Sequence, residues 1–130
     1  ELLELDPKNV TIMPHLGAST PESEDNSAVM ASSELIDFFK TGNIKNSINF
    51  PETIKAPCTK TRVCVLHKNI PNIIAQVTRV LSDDNVNIES MISNSKGANA
   101  YSIFETNDEV NEMICSHFKG VEGIYRVFII

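Results

Sequence analysis

With 130 residues the chain has room for one ordinary domain, or for a small domain plus part of another. Its 42% apolar and 22% charged residues are those of a globular chain, and no apolar run is long enough to span a bilayer. A net charge of −6 counts against nucleic acid or an anionic membrane as the main partner, because both require a cationic surface. Cys58, Cys64 and Cys115 are odd in number and lack C-x-x-C spacing, which fits a reducing compartment, the cytoplasm by default, better than a disulfide framework. His15, His67 and His117 are too scattered for a zinc motif, so no metal is expected. The first residue is Glu1 with no signal segment after it, which reads as a chain that begins mid-protein or has been trimmed.

Residues 1–6 carry three leucines without a lasting period and stop at Pro7, as an approach segment would. Asn9 to Met13 is β-branched and apolar enough for a short strand, closed by Pro14. A turn through His15, Leu16, Gly17 and Ala18 then leads to a helix, with Ser19 or Thr20 as cap and Pro21 near the first helical position. Ala28, Ala31, Leu35, Phe38 and Phe39 form its apolar stripe, and Lys40 with Gly42 supplies a basic last turn and a stop. A histidine at a strand's C-terminal end beside a glycine is a functional candidate, since α/β sheets put sites there; on residue chemistry alone the plain turn histidine is the favoured reading. Residues 43–60 hold two prolines and no sustained period, the pattern of an inter-domain connector.

Val63 to Leu66 predicts a strand buried on both faces. It ends in the polar loop His67-Lys68-Asn69-Ile70-Pro71-Asn72, after which Pro71 suits a first helical position and the next amides point outward unpaired, an anion pocket. Ile73, Ile74, Val77, Val80 and Leu81 make one helical stripe, Asn85 ends the helix, and Val86-Asn87-Ile88 opens a second strand. Asn87 is expected close enough to the first strand's end for two polar sites to converge on one ligand. Asn94 to Gly97 reads as a turn, and Ala98 to Glu105 completes a hairpin. Asp108 is expected to cap a helix through Val110, Met113, Ile114 and Phe118, stopped by Gly120 before a last strand from Ile124 to Ile130. The order βαββαβ predicts an α+β, ferredoxin-like antiparallel sheet with both helices on one face. Because the first and last strands are apolar on both sides, the second face needs a cover, and a homodimer is expected to supply it.

His67-Lys68-Asn69-x-Pro71, a helix, then Asn85-Val86-Asn87-Ile88 resembles the ACT domain that ends many D-3-phosphoglycerate dehydrogenases, over residues 61–130. Pro14-His15-Leu16-Gly17-Ala18-Ser19-Thr20 and the acidic helix after it are similar to the signature that closes the catalytic region of the D-2-hydroxyacid dehydrogenases. Gly42-Asn43-Ile44, leading to Asn46-Ser47-Ile48-Asn49-Phe50-Pro51, is similar to the joint between body and ACT domain in shorter members. The resemblance divides the chain into a catalytic remnant (1–42), a linker (43–60) and an ACT regulatory domain (61–130). It implies NAD as cofactor, His15 as catalytic acid/base, and Leu16, Gly17 and Ala18 along the nicotinamide. An imidazole exchanges protons near neutral pH, as that role requires. The family's glutamate and arginine motifs are absent from this chain. Gly17, Gly42, Gly97, Gly120 and Gly123 never approach G-x-G-x-x-G spacing, so no dehydrogenase activity is expected of these 130 residues alone.

The resemblance also implies an amino-acid effector, L-serine, held by the bare amides after Pro71, by His67 and Asn69 of one subunit and by Asn87 of a neighbour. A helix N-terminus favours an anion by ~0.3 to 1 kcal/mol, and a charge-assisted hydrogen bond adds ~1.5 to 3 kcal/mol. Together these suit a micromolar to millimolar sensor. The family usually has glycine after the loop proline where this chain has Asn72, which leaves another amino acid open as ligand. The alternatives are a non-catalytic amino-acid-binding module and a purely structural dimerisation domain.

Overall fold

The computed structural model describes residues 13–17, 19–56 and 61–130, in two compact units, 1–33 and 34–130. The strand expected from Asn9, Ala18, which the resemblance places along the cofactor, and Cys58 lie outside the described residues, apart from Met13 at that strand's end. Helix α1 (Pro21–Thr41) contributes to both units. Thr20 is its cap: its Oγ1 accepts the Ser23 N–H at 3.2 Å, and Glu22 and Glu24 face the positive helix end. The expected apolar stripe does not form a buried face. Ala28, Ala31, Leu35 and Phe39 are exposed, and only Phe38 reaches the core, meeting Phe128 in a tilted pair at 5.2 Å between ring centroids.

The second unit is built on strands β1 (Thr61–Lys68), β2 (Ile88–Lys96), β3 (Asn99–Thr106) and β4 (Ile124–Ile129). They form one antiparallel sheet in the order β2-β3-β1-β4. With α2 (Ile73–Asp83) between β1 and β2 and α3 (Ile114–His117) between β3 and β4, this is the ferredoxin-like arrangement expected. Val63 and Val65 turn toward both helices and meet Ile73, Val77, Leu81, Phe104, Ile114 and Phe118 in one buried cluster. Each large side chain buried there contributes about 1.5 to 3 kcal/mol. Asn85, at φ 56°, ends α2: its N–H bonds the Ser82 carbonyl and the Val86 N–H bonds the Leu81 carbonyl, each at 2.9 Å, a Schellman closure.

Two expected features differ. The third helix is a single turn, because side chains between Thr106 and Met113 hold the backbone in other ways: Thr106 Oγ1 donates to the Asp108 carbonyl, and Asn111 Oδ1 accepts the Met113 N–H. The larger difference concerns the sheet's second face. Cys64, Tyr101 and Ile103 on that face pack against Ile44, with Phe38, Phe50, Phe128 and Ile130 around them. The stretch expected as a connector thus lies, over residues 43–56, on the sheet. Ile44 and Thr53 pair as a bridge, their backbone groups bonded in both directions at 2.9 Å.

Side chains from the sheet satisfy the polar backbone of this strap. Asn94 donates to the Glu52 carbonyl at 3.2 Å, Lys96 to Ser47 and Asn99 to Asn49, both at 2.9 Å. Gly42 lets α1 turn into it at φ 74°, where a Cβ would stand 2.7 Å from Cys64 Sγ. The apolar second face is therefore covered from within the chain, and it supplies no reason for a partner.

Candidate functional site

β1 delivers two polar residues to one end of the sheet. His67 is 3% exposed, with Nδ1 2.8 Å from the Lys68 carbonyl oxygen and Nε2 2.9 Å from Ser102 Oγ. Asn69 is exposed, and its side chain donates to the Gly97 carbonyl at 3.0 Å, tying the loop to the β2–β3 turn. The loop backbone is fixed as well: Lys68 N–H donates to Gly123 and Asn69 N–H to Ala98, both at 2.8 Å. Gly123 was invisible as a site residue in the sequence. A Cβ there would lie 2.8 Å from Ile73 Cδ1 and 3.1 Å from Ile70 Cδ1, and at φ 92° any side chain is strained, so glycine suits the close approach of the start of β4 beneath the loop.

Pro71 precedes the helix cap instead of occupying the first turn. The cap is Asn72, at φ 71°, and its side chain makes no cap hydrogen bond. The first intrahelical bond runs from Gln76 N–H to the Asn72 carbonyl at 3.1 Å, which leaves the amides of residues 73–75 without intrahelical acceptors. The loop therefore needs a residue tolerant of the left-handed region, which accounts for asparagine at this position.

Asn87 is exposed but stands far from this loop in the same chain. Ile88 pairs with Thr106 and Thr106 with Thr61, whereas His67 pairs with Ala100. Six residues of β1 separate the two ends, about 20 Å at the rise of a strand. The expectation that Asn87 returns near the end of β1 is thus overturned within one chain. Residues 67–72 and Asn87 could meet only across two copies.

On the strap side, sequence reading missed a buried ion cluster. Arg62, 3% exposed, donates to the Thr41 carbonyl at 2.6 Å, to Ala56, and to Glu105 Oε1 at 2.8 Å, while Lys55 Nζ meets Glu105 Oε2 at 3.0 Å. Arg62 so joins the end of α1, the strap and β3. Burial pushes the Glu105 carboxyl up, but Arg62 and Lys55 outweigh it and hold the group below its ordinary value. Burial raises the Cys64 thiol to about 11, which leaves it protonated and unreactive.

In the first unit, His15, Leu16 and Gly17 are exposed, and a Cβ on Gly17 would lie 3.9 Å from His15 Nε2. Among the described residues no cluster of three or more His, Cys, Asp or Glu could hold a metal, and no helix is long and apolar enough to cross a membrane.

The βαββαβ order on one antiparallel sheet defines an α+β domain of the ferredoxin-like class. Its curated homologues are D-3-phosphoglycerate dehydrogenases, which match 72–94% of the chain, so the resemblance carried by the motifs holds over most of its length. One, described as a putative D-3-phosphoglycerate dehydrogenase of Schizosaccharomyces pombe, is 33% identical over 106 residues, 78% of this chain and 22% of that protein. The D-3-phosphoglycerate dehydrogenase of Escherichia coli is 25% identical over 120 residues, 91% of this chain and 29% of that protein. The chain thus spans less than a third of the length of these relatives. A solved ACT domain, from the GTP pyrophosphokinase of Chlorobium tepidum, is similar over 54% of this chain and 95% of its own at 16% identity and a TM-score of 0.43. No family model matches the chain.

Proposed function

We propose that the chain is the C-terminal regulatory part of a D-3-phosphoglycerate dehydrogenase, an NAD-dependent enzyme that opens L-serine biosynthesis in the cytoplasm. In this reading residues 61–130 are its ACT domain, tied to the dehydrogenase body through 43–60, and residues 1–42 are the end of the catalytic region. His15 is then the acid/base of the whole enzyme, and Leu16, Gly17 and Ala18 border its NAD. The chain alone lacks a dinucleotide cradle and is inactive, which mixing it with 3-phosphoglycerate and NAD tests by NADH absorbance.

The ACT domain binds an amino-acid effector, L-serine, between two copies. The observation that carries this is the separation of the loop from Asn87 at opposite ends of one sheet. A two-fold pair of chains sets the loop of each against Asn87 of the other, an isologous arrangement with two equal sites. At each, the free amides of residues 73–75 take the effector carboxylate and the two asparagines take its polar groups. Calorimetric titration of L-serine into the chain, with sedimentation at micromolar concentration, tests both parts. Saturable binding by a dimer is expected; a monomer that takes up no heat would leave a purely structural module.

A further inference from the structure

The turn between β2 and β3 is gripped from two sides. Lys96 and Asn99 pair across it and reach the strap: Lys96 Nζ donates to the Ser47 carbonyl and Asn99 Nδ2 to the Asn49 carbonyl, both at 2.9 Å. A second partner fixes the sense of the Asn99 amide, since its Oδ1 accepts the Tyr125 hydroxyl at 3.0 Å. The Tyr125 ring meets Phe50 of the strap edge-on, 6.3 Å between centroids. Gly97 and Ala98, between the outer two, hold the loop after β1. The Gly97 carbonyl accepts from Asn69 Nδ2 at 3.0 Å, and the Ala98 carbonyl from the Asn69 N–H at 2.8 Å. All four residues of one turn thus bond outside the hairpin, the outer pair to the strap and the inner pair to Asn69.

We propose that this turn is a clasp that makes the strap part of the effector site: the docked strap holds the turn, the turn positions Asn69, and a ligand on Asn69 keeps the strap on the sheet. The proposal rests on the effector reading above and adds how that site is regulated. With one Nδ2 hydrogen given to Gly97, Asn69 keeps its Oδ1 and its second N–H for a ligand, so binding does not compete with the hold on the turn. Linkage then runs both ways. Whatever factor the docked strap adds to ligand affinity, the ligand adds to strap docking. The strap follows α1 directly through Gly42, so occupancy at the loop is passed to the segment that leads back along the chain.

The test combines calorimetric titration of L-serine into the 130-residue chain with amide hydrogen exchange at Ile44 and Thr53, whose N–H groups bond each other's carbonyls within the strap. L-serine is expected to slow both amides about fivefold, although they lie in the strap and not in the loop. Lys96→Met with Asn99→Ala removes both donors to the strap tip and weakens L-serine binding by about the same factor. Lys96→Arg keeps a donor and binds as the unsubstituted chain does. Without ligand, Asn69→Ala speeds exchange at Ile44 and Thr53 about fivefold, the loss of one hydrogen bond to the turn. Adding Lys96→Met speeds it by less than the product of the two single effects, as one shared turn requires. The Val86 amide, bonded to the Leu81 carbonyl at the end of α2, keeps its rate in each variant.

If the Lys96→Met, Asn99→Ala chain binds L-serine as tightly as the unsubstituted one, or if Asn69→Ala leaves Ile44 and Thr53 at their original rates, strap and loop are not linked. The inference then fails while the effector reading stands. A rise in exchange shared by Val86 reports lost overall stability and likewise sinks the clasp. If the unsubstituted chain does not bind L-serine, the effector reading fails and takes the inference with it. Should the double variant not fold, the exposed Asn69→Ala change and the effect of L-serine on the unsubstituted chain still decide.

Discussion

At the scale of single residues, two asparagines do backbone work at either end of α2. Asn85 closes the helix and Asn72 opens it, both at positive φ. Asparagine and glycine reach this region most readily, while an ordinary L residue pays about 1 kcal/mol or more to enter it. Asn72→Ala is therefore expected to destabilise the domain by about 1 kcal/mol, and Asn72→Gly to leave it within a few tenths of the original. Urea unfolding at constant slope reads the difference from the midpoint alone. The same glycine variant clears the side chain from the helix mouth, so under the effector reading it binds L-serine more tightly while Asn72→Ala does not. The role of Asn85 was legible because it follows a periodic apolar stripe. The cap role of Asn72 was not, because Pro71 beside it advertises a helix start one residue too early.

At the scale of elements, the strap over the second face is pinned by a buried charge. Glu105 is held below its ordinary value of 4.5, so its ionised form favours the folded state. A depressed folded value contributes stability that is complete above the unfolded one and is lost as pH falls through the folded one. The urea midpoint of the chain is expected to fall from about pH 5 to about pH 3 more steeply than that of Glu105→Gln, which keeps the shape without the titration. Arg62→Met leaves Glu105 without its guanidinium and the Thr41 carbonyl without a donor, at a cost of about 3 to 5 kcal/mol near neutral pH.

The strap itself was hidden in the sequence for a physical reason. Its buried residues, Ile44, Pro51 and Thr53, follow no helical or strand period, and its backbone partners, Asn94, Lys96 and Asn99, lie more than forty positions away. By contrast β1 and α2, whose contacts repeat at 2 and 3.6 residues, were readable from pattern alone. The candidate loop was readable too, from its polar run between those elements. The partner of His67 was not, since Ser102 becomes its neighbour only through the register of β1 and β3.

At the scale of the whole molecule, the site's division between the two ends of a sheet makes a prediction about mixtures. Each proposed site needs Asn69 from one chain and Asn87 from the other. In a homodimer of Asn69→Ala, or of Asn87→Ala, every site lacks one of the two, and L-serine no longer protects either dimer against heat. If the two variants are unfolded together and refolded in equal amounts, half of the dimers are mixed. In a mixed dimer the Asn69 of the second variant faces the Asn87 of the first, giving one complete site, while the opposite site lacks both. About one quarter of all sites are therefore restored, and calorimetry should recover about that fraction of the original stoichiometry at unchanged affinity. A site contained in one chain gives no recovery on mixing, because neither variant chain carries both asparagines.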